Sequence, residues 1–73
     1  MPEFTFTLRF AIDNAESYID KLYEAGCDDA LIGLGTPGVL ALEFIRRAET
    51  LKLAIESAER DVLKAIPDAK QSS

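Results

Sequence analysis

A chain of 73 residues, 48% hydrophobic and 29% charged, has the balance of one globular domain rather than a disordered segment. It contains no histidine and one cysteine, Cys27, which excludes an internal disulfide and removes the commonest neutral-pH base and metal ligand. The net charge of −5 arises in residues 1–38, where seven acids face only Arg9 and Lys21; six acids and six bases balance in residues 39–73. An acidic surface repels nucleic acid and attracts a basic protein.

The N-terminal MPEFTFTLRF lacks the basic-then-apolar order of a signal peptide. No apolar run approaches the ~18 residues of a membrane helix. With a lone cysteine, the expected compartment is the cytoplasm.

Phe4, Phe6, Leu8, Phe10 and Ile12 alternate with Thr5, Thr7, Arg9 and Ala11, the period of a half-buried strand. Asp13 with Glu16 has capping-box spacing. Ala15, Tyr18, Ile19, Leu22 and Ala25 keep helical spacing, and Gly26 suits the position past a helix end, so a helix is expected over about 14–25. Ala30 to Leu34 reads as a second strand.

GLGTPG, Gly33 to Gly38, fits the G-x-G-x-x-G pattern of dinucleotide sites. That chemistry needs a helix opening at the last glycine and an acid on a following parallel strand. Leu40, Leu42 and Phe44 instead alternate as a strand over about 39–46. Gly35 and Gly38 around Pro37 then serve a hairpin connection, and Gly33 marks a bulge or close backbone approach.

The competing pattern is one helix over 37–66 with Thr36 as its cap. It would be ~45 Å long and would leave only a two-stranded sheet, which is marginal alone. A helix over about 50–66 is expected instead, burying Leu51, Ala54, Ile55, Ala58, Val62, Ala65 and Ile66, with Glu56 and Arg60 paired outside and Pro67 as its stop.

The order strand–helix–strand–strand–helix implies an α+β, ferredoxin-like βαββα fold. Its three antiparallel strands have the strand at 39–46 in the middle, and both helices lie on one face. Residues 1–67 form the domain and 68–73 a polar tail too short for a fourth strand. The first strand then lies at an open edge. The other sheet face carries Leu31, Val39, Ala41 and Ile45 among Thr5 and Thr7. An apolar face of this kind favours association, so that face or the edge strand offers a route to a homodimer.

Asp13, Glu16, Asp20 and Glu24 fall at i, i+3, i+7 and i+11, one helix face. Like charges at these spacings cost helix stability; the row reads either as a solvated outer face of an acidic protein or as a recognition surface. Loosely spaced like backbone phosphates, these carboxylates would occupy a Lys/Arg-rich nucleic-acid groove, with Asp28 and Asp29 extending the patch. Cys27 beside two aspartates is disfavoured as a thiolate nucleophile. Asp28 and Asp29 fall short of a calcium loop's ligand set. No catalytic, cofactor-binding or metal residue is expected.

GCDDALIGLGTPGVLALEF, residues 26–44, with FTLRFAI before it and KAIPDA after it, resembles the N-terminal domain of small bacterial helix-turn-helix DNA-binding proteins. In that family the chain continues to a further strand and the DNA-reading helices, so the resemblance implies the fold and the glycine hairpin but not DNA binding. In size, acidity and element order the chain is also similar to phage anti-CRISPR proteins, including those against type I-C systems. This second resemblance implies binding to a Cascade subunit in a bacterial host cell and blocking of target-DNA recognition. It transfers no residue. The expected function is therefore a non-enzymatic acidic inhibitor; the alternative is a regulatory or oligomerisation domain acting through its sheet face.

Overall fold

The computed structural model describes residues 1–35 and 37–71. Its class is α+β, with an antiparallel sheet and two helices. The elements are β1 (Glu3–Ala11), a 3₁₀ turn (Ala15–Tyr18), α1 (Ile19–Glu24), β2 (Ala30–Gly33), β3 (Val39–Arg47), α2 (Leu51–Ala65) and β4 (Lys70–Gln71).

β3 lies between β1 and β2, as its continuous apolar alternation requires. It pairs with β1 over nine positions, from Glu3 opposite Arg47 to Ala11 opposite Val39, without a bulge. The strand reading of residues 39–46 thus holds against the single long helix. The Thr36 cap invoked for that helix lies outside the described residues.

The sheet gains a short fourth strand where only a polar tail was expected. Lys70 and Gln71 pair with Ala11 and Phe10. The turn at Pro67–Asp68 brings the chain back to β1, with the Ala69 N–H donating to the Ile66 carbonyl at 3.0 Å. Among the described residues, β1 is therefore flanked by β3 on one side and, at its C-terminal end only, by β4 on the other.

One face of the sheet carries the core. Leu8 and Phe10 from β1 and Leu40, Leu42 and Phe44 from β3 are buried with Leu22 of α1 and Ala58, Val62 and Ala65 of α2. Phe6 stacks on Phe44 with ring centroids 5.5 Å apart, a separation at which aromatic pairs attract beyond simple burial. Small residues line the inner face of α2, which lets the helix approach the sheet closely.

The first helix departs from the expected 14–25. Asn14, not Asp13, begins it, with φ 59 and no side-chain cap. Asn is among the few residues that adopt left-handed backbone readily. This turn takes Asp13 out of capping position, so the Asp13–Glu16 box does not form. Instead the Ser17 N–H and hydroxyl both donate to the Asn14 carbonyl, at 3.0 and 2.8 Å.

The C-terminus of α1 matches its glycine. Gly26 has φ +112; its N–H donates to the Tyr23 carbonyl at 3.3 Å, and the Cys27 N–H to the Leu22 carbonyl at 3.0 Å. That is the Schellman arrangement, with Leu22 and Cys27 buried together as its apolar contact.

α2 starts at Thr50, whose hydroxyl accepts from the Leu53 N–H at 3.2 Å. It ends before Ile66, which precedes Pro67 and has left the helical region, at φ −134 and ψ 83; a following proline disfavours helical backbone. Leu51, assigned to the buried stripe by its spacing, is exposed; it is the first residue of α2. Gly38 has φ +76, but a Cβ on Gly33 would meet the Ala41 Cβ at 3.7 Å and the Ala41 carbonyl oxygen at 3.9 Å, both ordinary contacts. Gly33 thus makes neither a bulge nor a close approach.

Candidate functional site

The acidic residues divide into three groups. Asp20 and Glu24 stand one turn apart on α1, both exposed. Asp13 and Glu16 are also exposed but lie in the bend and the 3₁₀ turn. The tighter winding and longer rise of a 3₁₀ segment break the single row that α-helical spacing implied. Asp28 is exposed in the turn before β2. Lys21, the only base inside the acidic stretch, sits over the Tyr18 ring, its Nζ 5.4 Å from the centroid. None of these five carboxylates belongs to an ion pair among the described residues. Nor do Glu56 and Arg60, whose i,i+4 spacing led to the expectation of a pair.

Asp29 is different. Its place in the sequence groups it with the partner-binding acids, but the structure commits it to Arg46. The Arg46 Nε donates to Asp29 Oδ2 at 2.8 Å and Nη2 to Asp29 Oδ1 at 2.9 Å, a bidentate fork. Nη1 donates to Asp61 Oδ2 at 3.0 Å and Ser57 Oγ at 3.1 Å, and Nη2 also to the Gly26 carbonyl at 3.0 Å. A guanidinium has five N–H donors, and all five are used.

Its side chain is 12% exposed and lies over the Phe44 ring, 4.9 Å from its centroid. Donating to the Asp29 carboxylate holds Arg46 charged beyond even its ordinary range. Arg46 therefore ties the α1–β2 connection and α2 to β3. It fixes the base of the acidic region and keeps no donor free for a ligand.

Sequence reasoning missed this cluster, although a signal was present. Continuing the alternation of Leu40, Leu42 and Phe44 by one step puts Arg46 on the core side. A charge pointing inward there must find partners.

Cys27 lies beneath the cluster and is fully buried. Burial, then the Asp61 charge, pushes its thiol pKa up to about 11, which disfavours the nucleophilic thiolate. Among the described residues no three His, Cys, Asp or Glu side chains converge as metal ligands, and no helix is long and apolar enough to cross a membrane.

Two further surface features accompany the acids. A cleft of about 680 Å³ separates the 3₁₀ turn from the β2–β3 hairpin, with Ile12, Leu34, Pro37 and Val39 as walls and Glu16 and Ser17 among its lining residues. The glycine stretch Gly33–Gly38 leads from β2 to β3 and not into a helix; its Thr36 is outside the described residues. The sheet face away from the helices presents Leu31, 68% exposed, and Ile45, 45% exposed, with half-buried Val39 and Ala41. Glu3, Arg9, Glu43 and Arg47 share this face by strand alternation. The chain matches no protein-family model, no curated protein and no solved structure.

Proposed function

We propose that this protein is a non-enzymatic binding module that presents Asp13, Glu16, Asp20, Glu24 and Asp28 to a basic, nucleic-acid-binding surface of another protein. One contrast carries the reading. Asp29 and Asp61 are consumed by Arg46, whereas the five remaining carboxylates of the α1 region are exposed and outside any ion pair of the described residues. Like charges gathered without internal partners raise the protein's own free energy. They are useful where a partner supplies the opposite sign.

The concrete form of the proposal is an anti-CRISPR-type inhibitor: the acidic surface occupies the DNA-binding groove of a Cascade subunit and blocks target recognition. Its site of action is then the cytoplasm of a bacterial host. The ferredoxin-like description of the fold belongs to the same proposal. It is supported by a helix between β1 and β2, a second helix after β3, and the sheet order β2-β3-β1-β4.

The test is a mobility-shift titration of purified type I-C Cascade on target DNA with added protein. The proposal expects dose-dependent loss of the DNA complex, reversed by Asp20→Lys with Glu24→Lys. Undiminished DNA binding at saturating protein, or inhibition unchanged by the double reversal, would reject it. A second reading, a regulatory or oligomerisation domain, is favoured by the exposed Leu31 and Ile45 on the open sheet face.

A further inference from the structure

The outer edge of β1 is self-complementary, and we infer that two copies of this chain join there, strand to strand, in competition with β4. The hydrogen-bonding phase of β1 decides which backbone groups face outward. The Ile12 N–H donates to the Gly38 carbonyl at 3.0 Å, and the Ala48 N–H to the Pro2 carbonyl at 3.1 Å. Both extend the β1–β3 register by one residue, so the even-numbered residues of β1 direct their N–H and C=O groups at β3. In an antiparallel ladder the alternate residues point the other way. Glu3, Thr5, Thr7, Arg9 and Ala11 therefore aim theirs at the outer edge, where, among the described residues, β4 pairs only at Phe10 and Ala11.

The remaining stretch, Glu3 to Arg9, reads EFTFTLR. An antiparallel second copy centred on Phe6 sets Glu3 opposite Arg9, Phe4 opposite Leu8, Thr5 opposite Thr7, and Phe6 opposite itself. Each odd-numbered residue then meets an odd-numbered one, as the outward phase requires. The two-fold axis repeats every contact, as in an isologous dimer. Opposite charges, threonine pairs and aromatic pairs are the cross-strand combinations that stabilise sheets.

Burial along β1 agrees. Leu8 and Phe10 are covered, whereas Phe4 and Phe6 on the same face remain half-exposed, and an added strand would cover them. The edge also carries none of the lysines that commonly guard against strand addition. This register puts Pro2 opposite Phe10 of the second copy, the position Gln71 holds within its own chain. The two-residue β4 therefore gives way when the copies join.

Sedimentation equilibrium over a concentration series tests the inference. The parent should show a monomer–dimer equilibrium. Lys70→Pro removes an N–H from β4 and with it the competitor, so this variant should dimerise more tightly. Arg9→Glu or Glu3→Arg alone places like charges in both symmetry-related pairs and should weaken the dimer by about tenfold or more. Combining the two swaps the charges and should restore the parental constant. Amide exchange should show Thr5 and Thr7 protected only as the dimer fills. A chain that stays monomeric at millimolar concentration with and without Lys70→Pro would overturn the inference. So would a dimer indifferent to the single reversals but dissociated by Glu43→Arg on the open sheet face.

Discussion

Replacing Arg46 by Met would remove five hydrogen bonds while keeping most of the side chain's length and apolar contact with Phe44. Asp29 and Asp61 would then face each other's surroundings without a cation, at 32% and 21% side-chain exposure. Deleting one partner of a fully buried pair costs about 3–5 kcal/mol. Water reaching both carboxylates returns part of that, so the expected loss is about 2–4 kcal/mol. With a urea m-value of about 1 kcal/mol per molar for so small a domain, the midpoint should fall by about 2–4 M. Lys at position 46 keeps the charge but not the fork and should fall between the parent and Met. Adding Asp29→Asn and Asp61→Asn to Arg46→Met should recover part of the loss, because the stranded charges are gone; the non-additivity measures the coupling. Urea unfolding followed by circular dichroism reads all of these. A midpoint shift under about 0.5 M for Arg46→Met would refute the view that this cluster holds the α1–β2 connection to β3 and α2.

Leu42→Ala should cost about 2–5 kcal/mol, since Leu42 has no exposed surface, and Phe6→Ala less than a fully buried phenylalanine would; equal melting of both with the parent would reject the assigned core face. Gly26→Ala should destabilise by about 1–3 kcal/mol through its positive φ, with its Cβ only 3.0 Å from Asp61 Oδ2, while Gly33→Ala should be neutral or stabilising; chemical denaturation of the pair distinguishes them. Because burial raises the Cys27 thiol pKa to about 11, an unfolded chain releases that proton first as pH rises, so stability should be unaffected below pH ~8, fall between about pH 9 and 11, and lose that particular dependence in Cys27→Ala. The native thiol should also resist an aromatic disulfide reagent at pH 8 and react promptly in denaturant; prompt native reaction would contradict its burial.

The strands and α2 were legible because each rests on a local pattern. Phe4 to Ile12 alternates cleanly, Leu40 to Phe44 repeats that alternation, and Pro67 stops a helix with a small-residue stripe. The glycines were legible where backbone sign mattered: Gly26 closes α1 by its left-handed conformation, and Gly38 belongs to the hairpin. What escaped was set by tertiary contact or by one special dihedral. The left-handed Asn14 displaced the expected cap, and both Asp13 and Asn14 are plausible N-caps by residue type. β4 depends on the turn at Pro67–Asp68 meeting the end of β1, which no two-residue polar segment announces. Among the acids, residue type and spacing alone could not separate Asp29 from Asp28. The distinction comes from Arg46, seventeen residues away in the chain, whose inward phase on β3 gathers Asp29 and Asp61 and leaves the others to solvent.

The most direct test of the proposed acidic contact surface is the association rate of the protein with the proposed basic partner at two salt concentrations, for two charge-reversal pairs. Asp20→Lys with Glu24→Lys changes the α1 surface, and Glu49→Lys with Glu56→Lys makes an equal change of charge on exposed positions outside it. Stopped-flow binding to type I-C Cascade supplies the rate. Surface charges separated by more than about 8 Å are largely screened at physiological ionic strength, so long-range steering should weaken as salt rises. The parent should associate faster at low salt, and the α1 pair should lose most of that advantage while the control pair keeps it. Equal, small effects from both pairs with no salt dependence would contradict the acidic contact and move the binding surface to Leu31 and Ile45 on the open sheet.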